Sequence, residues 1–478
     1  MTERIPPLEE NDLPQRQKSF WKMSGPGAVM VGLAIGSGEM VLWPWITARF
    51  GAGMAWAAVL GIFVQMWINF EIGRWAVATG ESAFTGFARV SRRFIFLFMA
   101  ILFTLAWLPG WARASAICIR YLLFGLEDEP TGADWQWTIL VYACVFALLF
   151  GPKRIYATIE RVISVMVLVI VLGMIAVAVQ IGTMSDIAEL GRGLVNFGHI
   201  ELDDEFTFLR FFGAMVFVGA GGFGQLYYAY YLRDKGIGMG GRIPELTSAL
   251  WGKGEAHTQI GFVYRDDEEN ARRFRDWFSF VKQDNIIYFF LINTFVTLLF
   301  MFGAMVTLRA RGIVPSRGTI IWDLSEMLQT TMGSFGHYLF LVIAFCAMFS
   351  SQLAISDGGY RVWTDMLHTN FAFARKYTPG QCYLFLAITL CTVGVVSTWF
   401  FETQQVGVLD FFFINAALNG GAMAIWIPLV LYCNLRFLPK SARPHPINIG
   451  VMLLATLFYL SFAVYTCWEV VTTGSIVG

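Results

Sequence analysis

The sequence predicts an all-α, polytopic membrane protein of about eleven crossings, built as two inverted sets of five with crossings 1 and 6 broken. Three observations carry that class. Of 478 residues, 56% are hydrophobic and 14% charged, where a soluble chain carries about 25% charged residues. Apolar runs of about 20 residues, the length of a bilayer crossing, recur from end to end. Two of these runs are interrupted near their centres by glycine, at Gly36-Ser37-Gly38-Glu39 and Gly219-Ala220-Gly221-Gly222-Phe223-Gly224. Each glycine costs about 1 kcal/mol of helix propensity. Unwound backbone is tolerated at membrane depth only where protein buries it or it lines a cavity.

In chain order, residues 1–20 are polar and contain Pro6, Pro7 and Pro14, and residues 1–23 read as a flexible cytoplasmic arm. The apolar stretch that follows is too long for a signal-peptide core. Spans are expected near 25–47, 53–77, 95–124, 135–151, 157–181, 207–231, 284–308, 336–357, 381–400, 408–432 and 447–471. Arg16, Lys18 and Lys22 precede span 1 and place the N-terminus in the cytoplasm by the positive-inside rule. Cytoplasmic loops then hold Arg89, Arg92 and Arg93; Lys153 and Arg154; the segment from Arg233 to Lys282; Arg375 and Lys376; and Lys440 and Arg443. The other side carries Glu127, Asp128, Glu129 and Asp134, then Asp186, Glu189, Asp203, Asp204 and Glu205, while Arg309, Arg311 and Arg317 dissent.

Residues 24–181 form the first five-helix repeat, 207–432 the second, and 447–471 an eleventh helix. Five is odd, so the second set starts from the opposite side, as in an inverted repeat. The connector 233–283 opens on a glycine-rich turn, and Asp266 to Lys282 is expected as an amphipathic helix lying at the cytoplasmic interface.

A net charge of zero gives no argument for a nucleic-acid partner. The seven cysteines form no CxxC pair and read as packing residues, and the five histidines fall in loops or at span ends. No cofactor is expected. Gly219–Gly224 and Gly236–Gly241 match GxGxxG, but neither opens a βαβ unit, so a dinucleotide site fails on context. No nucleophile–base pair converges at membrane depth, so the chain reads as a non-enzyme. Its oligomeric state is not encoded legibly.

Polar residues inside spans are the candidates for chemistry. Glu39 lies where the second half of span 1 begins, and a helix N-terminus favours an anion. Facing a cavity, it can ligate a cation or carry a proton beside freed carbonyls near Leu33 to Gly36; the structural alternative is an ion pair with Arg113. The span 6 break is followed by Gln225, Tyr227, Tyr228, Tyr230 and Tyr231. Gln225 can donate and accept hydrogen bonds, Tyr227 offers a ring and a hydroxyl, and Tyr230 and Tyr231 read as an interfacial belt. Span 8 holds Ser350, Ser351, Gln352, Ser356 and Asp357, with Asp357 and Arg361 an i,i+4 pair. Its serines are hard ligands or, as is commoner, bind backbone. Glu71 and Arg74 read as a structural pair or a gate, and Asn415 and Asn419 share one face of span 10.

The expected substrate site is therefore Gly36, Ser37, Gly38, Glu39, Gly221, Gly222, Gln225, Tyr227, Ser351, Asn415 and Asn419. Coupling or gating candidates are Glu39, Glu71, Arg74, Arg113 and Asp357, and Glu39 is the candidate metal ligand.

At these residues a family resemblance emerges. Gly25-Pro26-Gly27 precedes Gly36-Ser37-Gly38-Glu39; Ala78-Thr79-Gly80-Glu81 follows span 2; Ser351-Gln352-Leu353 and Asp357-Gly358 sit in span 8; Asn434-Leu435-Arg436 and Leu438-Pro439 follow span 10. Over residues 20–440 this resembles the Nramp superfamily, especially its divergent bacterial members. The resemblance implies a LeuT-type fold with an alternating-access site between spans 1 and 6, cation transport driven by protons or sodium, and a bacterial inner membrane. Metal-moving members carry Asp-Pro-Gly-Asn in span 1 and Met-Pro-His in span 6. Here Gly36, Ser37 and Glu39 replace the aspartate, proline and asparagine, and Gly222, Phe223 and Gly224 stand where the second motif is expected. Without soft sulfur the site is harder and suits a divalent cation that keeps part of its water shell. Two other readings stay open: a symporter for an amine or amino acid, and a non-transporting receptor or scaffold.

Overall fold

The computed structural model describes residues 5–16, 19–125, 134–250, 260–316 and 319–473. Lys18, Glu127, Asp128, Glu129, His257 and Arg317 lie outside the described residues. Among the described residues, nine helices are long and apolar enough to cross a membrane, and Asp134–Phe150 and Phe208–Phe217 are shorter apolar helices. All eleven expected spans are thereby matched. Large apolar side chains such as Leu172, Val179, Phe385, Leu454 and Val464 are exposed along the outer helices. A belt of that kind is stable against lipid rather than water, and the chain is an integral membrane protein.

Both glycine clusters break their helices. Span 1 is helical over Pro26–Ala34, opens at Ile35 and Gly36, and resumes as a π-turn over Ser37–Leu42 before Trp43–Phe50. Span 6 is helical over Phe208–Phe217, unwinds through Gly222, and resumes over Phe223–Leu226 and Tyr228–Asp234. Gly219 and Gly222 adopt φ of 124° and 88°, a region that is open to glycine and costly for other residues. The two broken helices touch back to back: a side chain at Gly38 would run into the carbonyl of Phe217.

Two expectations about the periphery are corrected. The N-terminal arm is docked. Glu9–Glu10 pairs in parallel with Phe262–Val263, Leu13 is fully buried, and the indole of Trp277 donates to the carbonyl of Pro14 at 2.7 Å. The amphipathic helix is present as Glu268–Asp284, but Phe274, Trp277, Phe280 and Val281 are buried in protein. Its apolar face meets span 2, where Val281 fills the gap over Gly73, and the arm, where Phe280 packs on Phe20. The helix therefore runs unbroken into span 7, Glu268–Arg311. The dissenting base Arg309 caps the end of span 1, donating to the carbonyl of Arg49 at 3.2 Å, a favourable place for a cation.

Candidate functional site

The breaks leave main-chain groups without helical partners, and buried polar groups of that kind are nearly always satisfied elsewhere. In span 1, Ser350 and Ser351 of span 8 donate to the carbonyl of Gly32 at 2.9 and 3.1 Å, and Ser351 also to that of Leu33 at 2.9 Å. These hydroxyls cap span 1 in this conformation, in keeping with the commoner, backbone-binding role of membrane serines. In span 6, the Gln65 amide of span 2 donates to the carbonyls of Val216 and Val218 at 2.9 and 3.2 Å, with Met215 at 3.4 Å. The resumed half of span 6 is held by Met423, whose sulfur accepts from the Gly222 amide at 3.1 Å, and by Asn419, whose Oδ1 accepts from Phe223 at 3.1 Å.

Between the breaks lies a cavity with about 150 Å³ of open volume. Of the candidate residues, Ser37, Gly221, Tyr227, Asn415 and Asn419 line it, joined by Gly219, Gln352, Ser356 and the rings of Trp111, Tyr142, Phe217 and Phe223. Gly36, Gly38, Glu39, Gly222, Gln225 and Ser351 are not among its lining residues. For Glu39 this corrects the expected orientation. Ser37 faces the cavity, and two residues further along a helical turn a side chain points to the opposite face. Glu39 is fully buried there, and its Oε1 accepts from the Asn293 amide of span 7 at 3.0 Å. Gln225 is turned the same way, donating to the carbonyl of Gln65 at 3.1 Å and to Asn69 Oδ1 at 3.2 Å.

The remaining candidates are tied into networks that do not line the cavity. Glu71 and Arg74 pair at 2.8 Å. Asn434 and Asn448 donate to Glu71 at 2.9 and 2.7 Å, and Arg74 reaches the carbonyl of Ala442 at 2.9 Å. Asp357 pairs with Arg361 at 2.8 Å and accepts from Tyr383 at 2.7 Å, and Arg361 also meets Asp234. Tyr230 and Tyr231 are buried, on Asp365 and the carbonyl of Ala354, which replaces the interfacial-belt reading. Elsewhere Arg113 pairs with Asp134 at 3.0 Å rather than with Glu39. Arg49 bridges to Asp203 and Glu205. Burial alone would raise the Asp203 carboxyl, but the hydrogen bonds from Arg49 and from the amides of Phe206 and Glu205 outweigh it and hold it below the usual range.

Sequence reasoning missed Gln65 and Asn293. Each was visible as a lone amide in an apolar run, and an amide there needs a partner. It also missed the aromatic wall, which carries no periodic signature apart from ordinary packing.

A family model described as natural resistance-associated macrophage protein-like (Nramp) matches residues 29–469. None of the curated proteins matches the sequence. Among solved structures, the manganese transporter of Eremococcus coleocola in complex with an aromatic bis-isothiourea compound is similar over 95% of this chain and 90% of its own, with TM-score 0.65 and 13% identity. MhsT in complex with L-phenylalanine is similar over 94% and 98%, with TM-score 0.52 and 13% identity. At such identities the likeness is one of fold, and that fold is LeuT-type, two inverted sets of five helices with the first of each set broken.

Proposed function

The chain belongs to the Nramp family, and on that premise we propose that it is a secondary transporter moving a divalent metal cation by alternating access. The observation that carries the proposal is the meeting of two interrupted helices at one cavity, whose wall offers Ser37, Tyr227, Asn415, Asn419 and the main chain of Gly219–Gly221. These are neutral, hard oxygen donors. They suit a cation such as manganese or magnesium that arrives with part of its hydration and exchanges a few waters for protein oxygens. No thioether or imidazole lines this cavity, so discrimination in favour of soft ions is weak. The ion gradient that drives the cycle is one of protons or sodium.

In this reading the N-terminal arm and the Glu71–Arg74 and Asp357–Arg361 networks lie on the cytoplasmic side of a bacterial plasma membrane. Arg49, Arg113 and Asp134 lie on the other side. The paired networks at the two mouths are the gates that open alternately. Residues 24–181 and 207–432 are the two repeats that rock against each other.

Proteoliposomes containing the full chain test the function. Uptake of manganese or magnesium should follow an imposed proton or sodium gradient, and Asn419→Ala should lower it about tenfold, a loss of roughly 1.4 kcal/mol. Absence of divalent-cation flux under every gradient would refute the proposal. The aromatic wall of Trp111, Phe217 and Phe223 is the feature that favours an organic solute. Amino-acid flux without metal flux would install that reading instead.

A further inference from the structure

A helix of 12 residues, Met184–Val195, follows span 5 with only Gly182 and Thr183 between them. Thr183 opens it with a capping box. Its hydroxyl accepts from the Asp186 amide at 3.4 Å, and Asp186 accepts from the Thr183 amide at 2.9 Å. The residues of this helix sort into three faces at helical spacing. Leu190, Gly193 and Leu194 are turned to protein. Leu190 packs with Ala52, Phe302 and Met305, and a side chain at Gly193 would run into the carbonyl of Ala52. Ser185, Glu189 and Arg192 form a polar, exposed face. Met184, Ala188, Gly191 and Val195, at i, i+4, i+7 and i+11, form a third that is apolar and bare, with Ile187 at its edge. Met184 and Val195 are 82% and 79% exposed, and a side chain at Gly191 would meet nothing within 4 Å.

A surface helix between protein and water needs two faces, one for the core and one for the solvent. A third face, apolar and uncovered, calls for another medium. Its surroundings say which. At its start the stripe continues the lipid-facing row of span 5, where Leu168, Leu172 and Val179 are exposed. At its other end Leu194 and Phe197 roof a groove between spans 2 and 7 with about 360 Å³ of open volume. Leu60, Phe63, Phe290 and Leu298 are among its walls. Thr294 is the one polar side chain there besides the indole of Trp56, whose N–H donates to the carbonyl of His199 at 3.1 Å. Phe63 is itself exposed, as are Leu291 and Phe295, each next in sequence to a groove residue, so the groove opens into the lipid belt. A second copy of the chain fits the stripe poorly, because a stable interface buries about 800 Å² per partner and five small or medium side chains do not supply it. Asp186 and Glu189 outnumber Arg192, so the helix has no excess positive charge to recruit an anionic headgroup.

We propose that the helix Met184–Val195 lies in the membrane–water interface and that the groove beneath its end binds an acyl chain of a membrane lipid. The three faces then meet three media: protein, water and lipid. The contact is apolar, so it does not select headgroup charge. It needs only that the chain is integral to a membrane, and it stands whatever solute is moved. The helix links the end of span 5 to the segment that carries Asp203 and leads into span 6, and it leans on Ala52, where span 1 gives way to span 2. A lipid in the groove therefore steadies the link between the two five-helix sets from the bilayer side.

The full chain in lipid nanodiscs tests the placement, with the exposed Cys144 and Cys467 replaced by serine and a nitroxide attached at Ile187→Cys, Val195→Cys or Glu189→Cys. Labels at Ile187 and Val195 should be relaxed more by oxygen, which partitions into lipid, than by a water-soluble nickel chelate. The label at Glu189 should show the reverse. Nickel access at Ile187 and Val195 equal to that at Glu189 overturns the placement. Shielding of both from either reagent, with coupling between labels on different copies, assigns the stripe to a second copy and overturns it too. Thermal melting of delipidated protein in detergent tests the groove. Added phosphatidylcholine should raise Tm, phosphatidylglycerol should raise it equally, and salt should not change the rise. Leu60→Trp fills the groove and should lose about half of that rise or more. Leu60→Ala leaves the groove open, covers the case in which the larger residue prevents folding, and should keep the rise. No rise in the wild type, an equal rise in Leu60→Trp, or a rise with phosphatidylglycerol alone overturns the acyl-chain site.

Discussion

The breaks in spans 1 and 6 solve one problem with different residues. Both must free main-chain groups at membrane depth and keep them satisfied. In span 6 the glycines are needed for conformation, since Gly219 and Gly222 take positive φ. In span 1 Gly36 has a negative φ of −126°, and its glycine is needed for space: a side chain there would lie 2.5 Å from the Ser351 hydroxyl. Capping differs as well. Two hydroxyls of span 8 share the freed carbonyls of span 1, whereas a single amide, Gln65, serves those of span 6. The lesson is that one glycine-rich signal in sequence stands for two physical causes, and that, among the described residues, the freed carbonyls of Val216 and Val218 rest on the Gln65 side chain alone.

The largest expected effect comes from the point where the breaks touch. Gly38→Ala would drive a methyl into the carbonyl of Phe217, and main chain cannot swing aside as a side chain can. Overpacking of this kind costs about 3 kcal/mol or more. The variant should lose most of its folded, monodisperse fraction in size-exclusion chromatography. Gly36→Ala meets only side-chain atoms, the Ser351 hydroxyl and the Trp111 indole nitrogen at 2.9 Å, which can shift, so it should fold and melt only a few degrees lower. Equal losses in both would contradict the distinction between contact with backbone and contact with a side chain.

The second prediction addresses the caps. Gln65→Leu keeps the shape but strands the carbonyls of Val216 and Val218, and an unsatisfied buried group costs about 1–3 kcal/mol. Ser350→Ala leaves Ser351 on the carbonyl of Gly32 and should cost about 1 kcal/mol or less. Thermal melting in choline chloride compares them free of any sodium effect. A larger loss in Ser350→Ala would invert the conclusion about the caps.

Much of this was legible in the sequence because it depends on runs and clusters. Span positions follow from hydropathy, the breaks from glycine at mid-run, and the Glu71–Arg74 and Asp357–Arg361 pairs from helical spacing. What stayed hidden depends on rotation about a helix axis. Ser37 and Glu39 are two residues apart, and only the π-turn over Ser37–Leu42 settles that the serine faces the cavity and the acid faces Asn293. The docked arm was hidden for a related reason. Its anchors are main-chain atoms of Leu13 and Pro14, and a polar, proline-rich segment carries no trace of the helix it will meet.

The smallest effect concerns the ion pairs that join the two broken helices at one end. Arg49 ends the resumed half of span 1, and Asp203 and Glu205 precede the first half of span 6. The Asp203 carboxyl is held below its usual range in the folded protein, so its contribution to stability is complete above the ordinary value of about 3.9. It fades as pH falls from there through the folded value, where the carboxylate takes up its proton and releases Arg49. Wild-type protein should therefore lose Tm more steeply than Asp203→Asn as pH falls below about 4, while the two run parallel at pH 6 and above, offset by a degree or two. The pair is partly exposed, and high salt should shrink the offset. Matching acid slopes in the two proteins would show that this bridge does not hold the broken helices together, and that their union rests on contacts deeper in the chain, such as Gly38 on Phe217 and Trp43 on the Ala214 carbonyl.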